Sequence, residues 1–198
     1  MPRPITRALP ALLLAALALA ACGPAAPATA AAAATPIAPS GPPIANTGTF
    51  TPAAGQAPRF RRTEVTQAGP QVTSLTFAIT KIEQGLASFT VTAADKKTGS
   101  FEVASGNYYW PIVDTNLKSA DVWATAKAEG EEAVAVPAGY YTCTRTRYQK
   151  QVTPAAFIDV TLWTNGTAGL VKAQVANKLT VGALSQTTDL KLELEQQP

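Results

Sequence analysis

The chain has 198 residues, 16 basic and 13 acidic side chains, no histidine and two cysteines. The lack of histidine removes the commonest general base and transition-metal ligand. Two of the arginines, Arg3 and Arg7, fall in a leader expected to be removed, which leaves 14 basic against 13 acidic residues. Such near-neutrality argues against nucleic acid as a partner, since nucleic-acid binders concentrate basic surface.

Arg3 and Arg7 precede an apolar stretch from Leu9 to Ala21, the layout of a secretory signal peptide. At about 13 residues it is too short to span a bilayer, which needs roughly 20. The stretch closes on Leu19-Ala20-Ala21-Cys22, and this resembles the lipobox of bacterial lipoproteins. That resemblance implies that residues 1–21 are cleaved away and that Cys22 is acylated with diacylglycerol and a palmitate-type chain, so that membrane lipid is the first partner. Each buried methylene contributes about 0.8 kcal/mol, so two or three chains anchor stably where one does not. Gly23 follows the cysteine and does not discriminate inner from outer membrane.

From Gly23 to Thr47 there is no charged residue and there are six prolines among alanine, threonine and serine. Such a composition buries too little apolar surface to offset ordering entropy of roughly 1–2 kcal/mol per residue, so residues 22–47 are expected to form a disordered tether. Residues 48–198 are then one domain.

Within that domain, period-two patterns dominate. Leu75, Phe77 and Ile79 alternate with Thr76, Ala78 and Thr80; Leu190, Leu192 and Leu194 alternate with Lys191, Glu193 and Glu195. Both segments read as strands with one wet face. Turn residues recur at Gln84-Gly85, Lys97-Thr98-Gly99, Gly106-Asn107, Gly130, Pro137-Ala138-Gly139 and Asn165-Gly166-Thr167. The expected fold is mainly β: a single antiparallel meander of eight to ten strands, forming a curved sheet or a partly open barrel or sandwich, with little helix. The best helix candidate is residues 115–131, capped by Asn116 or Ser119, although Val122, Trp123, Val134 and Val136 also suit strands.

Val136-Pro137-Ala138-Gly139 with Tyr141 and Cys143, then Trp163, then Gly169-Leu170-Val171-Lys172, resembles the TapB-type family of uncharacterised β-rich bacterial envelope proteins, with Trp123 at a position where that family places a tryptophan. The resemblance implies a curved antiparallel sheet akin to lipid-handling half-barrels and carries over no catalytic residue. Asn165–Ala168 departs from the family pattern, which leaves the shape of that turn open.

Candidate chemistry is sparse. Cys143 has no partner once Cys22 is lipidated, and in its alternating context it reads as a small buried hydrophobe rather than a reactive thiol. Asp114, Asp159, Glu83 and Glu102 could converge as paired carboxylates only if the fold brought distant strands together. Arg59, Arg61, Arg62, Arg145, Arg147 and Lys150 are candidates for an anion-binding patch, against the simpler reading of charged strand edges that discourage pairing. Tyr108, Tyr109 and Trp110, flanked by Asn107 and Pro111, could offer an aromatic platform, against ordinary core packing. Asn165-Gly166-Thr167 has the form of a glycosylation acceptor, but Asn-Gly between two strands is a hairpin turn. The expected function is that of a lipid-anchored envelope module, facing the periplasm or the exterior. It is expected to interact with an envelope protein without catalysis, metal or cofactor; the alternative is a carrier of an apolar, lipid-like ligand.

Overall fold

The computed structural model describes residues 41–66, 68–93, 98–104, 126–181 and 184–197. All nine regular elements among them are strands: β1 (Arg59–Thr66), β2 (Gly69–Glu83), β3 (Leu86–Ala93), β4 (Thr98–Ala104), β5 (Lys127–Val136), β6 (Gly139–Thr153), β7 (Ala156–Asn165), β8 (Gly169–Val181) and β9 (Leu184–Gln196). They form a single sheet in the order β4-β3-β2-β1-β9-β8-β7-β6-β5. Every neighbouring pair is antiparallel. The mainly β, antiparallel, open-sheet architecture agrees with the sequence pattern. The order adds that there are two meanders, β1–β4 and β5–β9, fused along a seam where the first strand pairs with the last.

The expected alternations are realised. Leu75, Phe77 and Ile79 are buried, and so are Leu192 and Leu194. One feature of β9 departs from expectation: Glu193, on the face read as wet, is only 7 % exposed. Its neighbours Arg61 and Lys191 cover it. The end of the helix candidate also differs, since its residues from Lys127 onward form β5. Pairing with β6 supplies this segment with backbone partners, and a bulge between Ala128 and Gly130 takes up the register shift. Gly130 adopts φ 121°, a conformation that side chains with a Cβ rarely tolerate. Residues 115–125 of that candidate lie outside the described residues, as do Tyr108, Tyr109, Trp110, Asp114 and Trp123.

The sheet curls strongly. In a flat sheet β6 and β9 would lie roughly 14 Å apart, at about 4.8 Å per strand. Yet the Ala138 amide, in the β5–β6 turn, donates to the Leu194 carbonyl of β9 at 2.9 Å. The Gln197 side-chain amide reaches the Tyr141 hydroxyl at 2.7 Å. This curl gathers Phe60, Phe77, Val134, Tyr141, Val160 and Leu194 from distant strands into one apolar cluster. A small satellite of Ile79, Ala87 and Phe89 packs at the β2–β3 end.

Residues 41–47, which composition assigns to the tether, also join the fold. β7 begins pairing with β6 only at Thr144, so β6 has an open backbone edge at Tyr140–Thr142. Ile44 fills it as a parallel bridge. The Ile44 amide donates to the Tyr140 carbonyl at 2.8 Å, and the Thr142 amide donates to the Ile44 carbonyl at 2.9 Å. Composition cannot reveal this, because the attraction is between backbone groups left unpaired elsewhere.

Candidate functional site

The chemistry-bearing side chains lie mostly on the face of the sheet opposite Phe60 and Leu192. Register sets them in cross-strand rows. One row runs Arg145, Trp163, Lys172, Glu193, Arg61 and Ser74 across β6, β7, β8, β9, β1 and β2. The next runs Arg147, Thr161, Gln174, Lys191 and Thr63. Side chains directly opposite one another stand about 4.5–5.5 Å apart at Cβ, so the rows interact along their length.

Trp163 is the centre of the first row and is 4 % exposed. Its indole N–H donates to the Glu132 carboxylate. The Lys172 ammonium lies 4.4 Å from the ring centroid, and the Arg145 guanidinium 5.9 Å. Burial, followed by the charge of Lys191, holds the Lys172 ammonium below the ordinary lysine range. The aromatic face offsets part of that penalty. With its ring covered and its N–H engaged, Trp163 offers no platform for a ligand.

The six basic candidates do not make an anion-binding patch. Five of them are matched with carboxylates: Arg59 with Glu195 at 3.1 Å, Arg61 with Glu193 at 2.8 Å, Arg62 with Glu64 at 2.8 Å, Arg145 with Glu129 at 3.1 Å, and Arg147 with Asp159. Most partners come from other strands, so their neutralising effect is invisible along the chain. The positive field expected of a phosphate or polymer binder is cancelled locally.

Glu83 and Asp159, the carboxylate candidates whose side chains are described, do not converge. Glu83 on β2 pairs with Lys81 at 2.7 Å, while β1, β9 and β8 separate it from Asp159 on β7. Asp159 accepts from Arg147 through both oxygens and from Gln149 at 2.8 Å. The Arg147 hydrogen bonds hold its carboxyl below the usual range. For Glu193 burial opposes ionisation, but Lys191 and Arg61 outweigh it and hold the group below its ordinary value. Both are therefore ionised acceptors, unsuited to deliver a proton near neutrality. Glu102 is in β4, and Asp114 lies outside the described residues.

A shallow groove of about 440 Å³ crosses this face, bordered by Thr63, Thr161, Gln174, Asp159, Asp189 and Lys191. Asp159 and Asp189 share it with Ala176 between them in register, two strand spacings or roughly 10 Å apart. Among the described residues no group of three or more His, Cys, Asp or Glu side chains is placed to hold a metal ion.

Cys143 is fully buried in the core. Burial and then the Glu132 charge push its thiol up to about 12. Below that value the thiolate is scarce, and only the thiolate reacts. Native protein is therefore expected to leave Cys143 unmodified by a thiol-specific disulfide reagent at pH 8, with Cys143 becoming labelled on denaturation. Rapid labelling of the folded chain at this position would contradict the packing.

Asn165 is the residue whose importance the sequence understated. It is buried, in the hairpin turn between β7 and β8. Its side-chain amide donates to the Thr142 carbonyl at 2.8 Å and the Ala45 carbonyl at 3.1 Å. Its oxygen accepts from the Thr167 and Ala168 amides at 2.9 and 3.1 Å. The turn reading of Asn165-Gly166-Thr167 is correct: the segment joins β7 to β8, with the asparagine amide engaged within the fold. The signal was present as an Asn-Gly pair; the cross-strand role depends on β6 and residue 45 arriving from elsewhere.

No family model matches the chain, and no curated protein does. The TapB-type resemblance therefore rests on its quoted residues alone. The fold gives those residues structural work: Pro137 and Ala138 make the β5–β6 turn, and Gly169 opens β8 at φ 74°. Two solved structures have a similar backbone course. One, from Bacteroides fragilis, bears the provisional name of an exported protein with a YmcC-like fold; it is 12% identical over 75% of this chain and 98% of its own, with a TM-score of 0.45. The other, from Parabacteroides distasonis, bears the provisional name of a lipoprotein; it is 11% identical over 77% of this chain and 100% of its own, also with a TM-score of 0.45.

Proposed function

We propose that this chain is a lipid-anchored module of the bacterial cell envelope, non-enzymatic, whose β domain engages another envelope component outside the cytoplasm. The observation that carries the reading is the run from Arg3 through the apolar stretch to Leu19-Ala20-Ala21-Cys22. An export signal of this length cannot serve as a span, and a cysteine at its end is positioned for acylation.

The domain's chemistry supports a binding rather than a catalytic role. The carboxylates of Asp159 and Glu193 are locked as acceptors in ion pairs, and the thiol of Cys143 is buried and protonated. An apolar-ligand carrier would need vacant space on the inner face, where Val160, Leu192 and Leu194 are packed without exposure. Replacing Cys22 with alanine in the full-length precursor is expected to move the protein from the membrane fraction to the soluble fraction. Intact mass of the native form should show a chain starting at Cys22 with added acyl groups. Persistence of Cys22→Ala in the membrane fraction would refute the anchor.

A further inference from the structure

We propose that the open edge of β6 at Tyr140–Thr142 is a strand-addition site whose occupant is the chain's own membrane-proximal segment, residues 44–48, and that this contact moors the linker to the domain. That the linker leads to a lipid anchor rests on the function proposed above; the mooring itself rests on the contacts alone.

The site is built on three sides. Backbone pairing comes from Tyr140 and Thr142, which bracket Ile44. The Asn46 side chain is then read by three partners: its amide donates to Glu131 at 2.6 Å and to the Thr144 hydroxyl at 2.9 Å, while its oxygen accepts from the Gly166 amide at 2.8 Å. Asn165 closes the third side by donating to the Ala45 carbonyl. Gly166 is required by closeness of approach, because a Cβ there would lie 2.3 Å from the Thr47 carbonyl oxygen and 2.5 Å from that of Gly48. Such distances are far inside van der Waals contact, so the turn and the segment fit each other as host and guest.

This recognition is the chemistry of strand addition: main-chain bonds supply attraction and one side chain in a polar socket supplies register. The same sheet defends its other edge. β5 carries Lys127, Glu129, Glu131 and Glu132 and a bulge at Gly130, features that discourage further pairing.

The mooring has a mechanical consequence. Without it, the linker would next meet the fold beyond residue 48, at Phe50, which packs on the Ile79–Phe89 cluster, and at Gly55 and Gln56, which bond to Ile79 of β2. A pull from the membrane would then act on the β1–β2 side of the sheet, beside the strand that joins the two meanders. With residues 44–48 in place, the pull enters at β6 and the β7–β8 turn instead, and the seam is spared.

The test is amide hydrogen exchange on the complete mature chain held in phosphatidylethanolamine–phosphatidylglycerol vesicles, comparing Gly166→Ala and Asn46→Ala with the unaltered protein. Asn46→Ala removes the socket contacts without steric intrusion and covers the case in which Gly166→Ala does not fold. The expected result is at least a tenfold rise in exchange at residues 44–48, Thr142 and Gly166, with protection in β8 and β9 unchanged. Unchanged exchange at those positions, or equal loss of protection across β8 and β9, would overturn the mooring. So would a cross-linked dimer in which residues 44–48 contact only a second copy. Membrane retention of the same variants reports on Cys22 alone, so failure of the anchor and failure of the mooring read out separately.

Discussion

Replacing Phe60 with alanine is expected to lower folding stability by about 3–5 kcal/mol, the range for deleting a buried aromatic ring. Phe60 is 1 % exposed and stands on the seam, opposite Leu75 on β2 and Leu194 on β9. Its ring meets Phe77 edge to face, with centroids 5.7 Å apart, a geometry worth roughly 0.5–1.5 kcal/mol beyond area burial. Removing it opens a cavity where the two meanders join, and β-strands pinned on both sides cannot collapse to fill it. Urea unfolding followed by tryptophan fluorescence should show the midpoint fall with the cooperativity retained. A loss below about 1 kcal/mol would mean that the seam is not a principal part of the core.

The second large effect is expected at Asn165. Asn165→Ala deletes two donors and one acceptor that together serve the Thr142 and Ala45 carbonyls and the Thr167 and Ala168 amides. Each buried backbone group left without a partner costs about 1–3 kcal/mol, and water can reach some of them, so a total of about 3 kcal/mol is expected. Asn165→Asp separates the roles. The carboxylate keeps the bonds from Thr167 and Ala168 but faces the Thr142 and Ala45 carbonyls with no donor, in a buried site, and should be at least as damaging as alanine. If aspartate instead preserved stability, the turn bonds alone would account for the residue and its link to β6 would be of no energetic weight.

These two positions show different degrees of legibility. Phe60 lies in Arg59-Phe60-Arg61-Arg62, where one aromatic among three arginines gives little sign of a strand and none of a seam. Its burial follows from β9 arriving from the other end of the chain. Asn165 was recognisable as a turn former because Asn-Gly is a local signal, but its side chain acts across strands. The arginines behave alike: along the chain they form two basic runs, and apart from Glu64, two residues from Arg62, the carboxylates that neutralise them arrive from β9, β5 and β7. Trp163 breaks the alternation of β7 by following Leu162, and both are buried, which becomes intelligible once Lys172 and Arg145 are seen to cover the ring.

What the amino-acid order determined unaided is whatever depends on near neighbours. Side chains in an extended backbone alternate between faces, so Leu75-Phe77-Ile79 and Leu190-Leu192-Leu194 declared their strands and their inward side. Proline and glycine restrict or free particular backbone angles, so Pro137-Ala138-Gly139 and Asn165-Gly166-Thr167 declared their turns. The β1–β9 seam, the curl that carries Ala138 to Leu194, the matching of arginine to glutamate and the seating of Ile44 on β6 were decided only in three dimensions. Each is a bond between groups far apart along the chain, and the free energy of such a bond depends on where the rest of the sheet has placed them, not on the residues beside them.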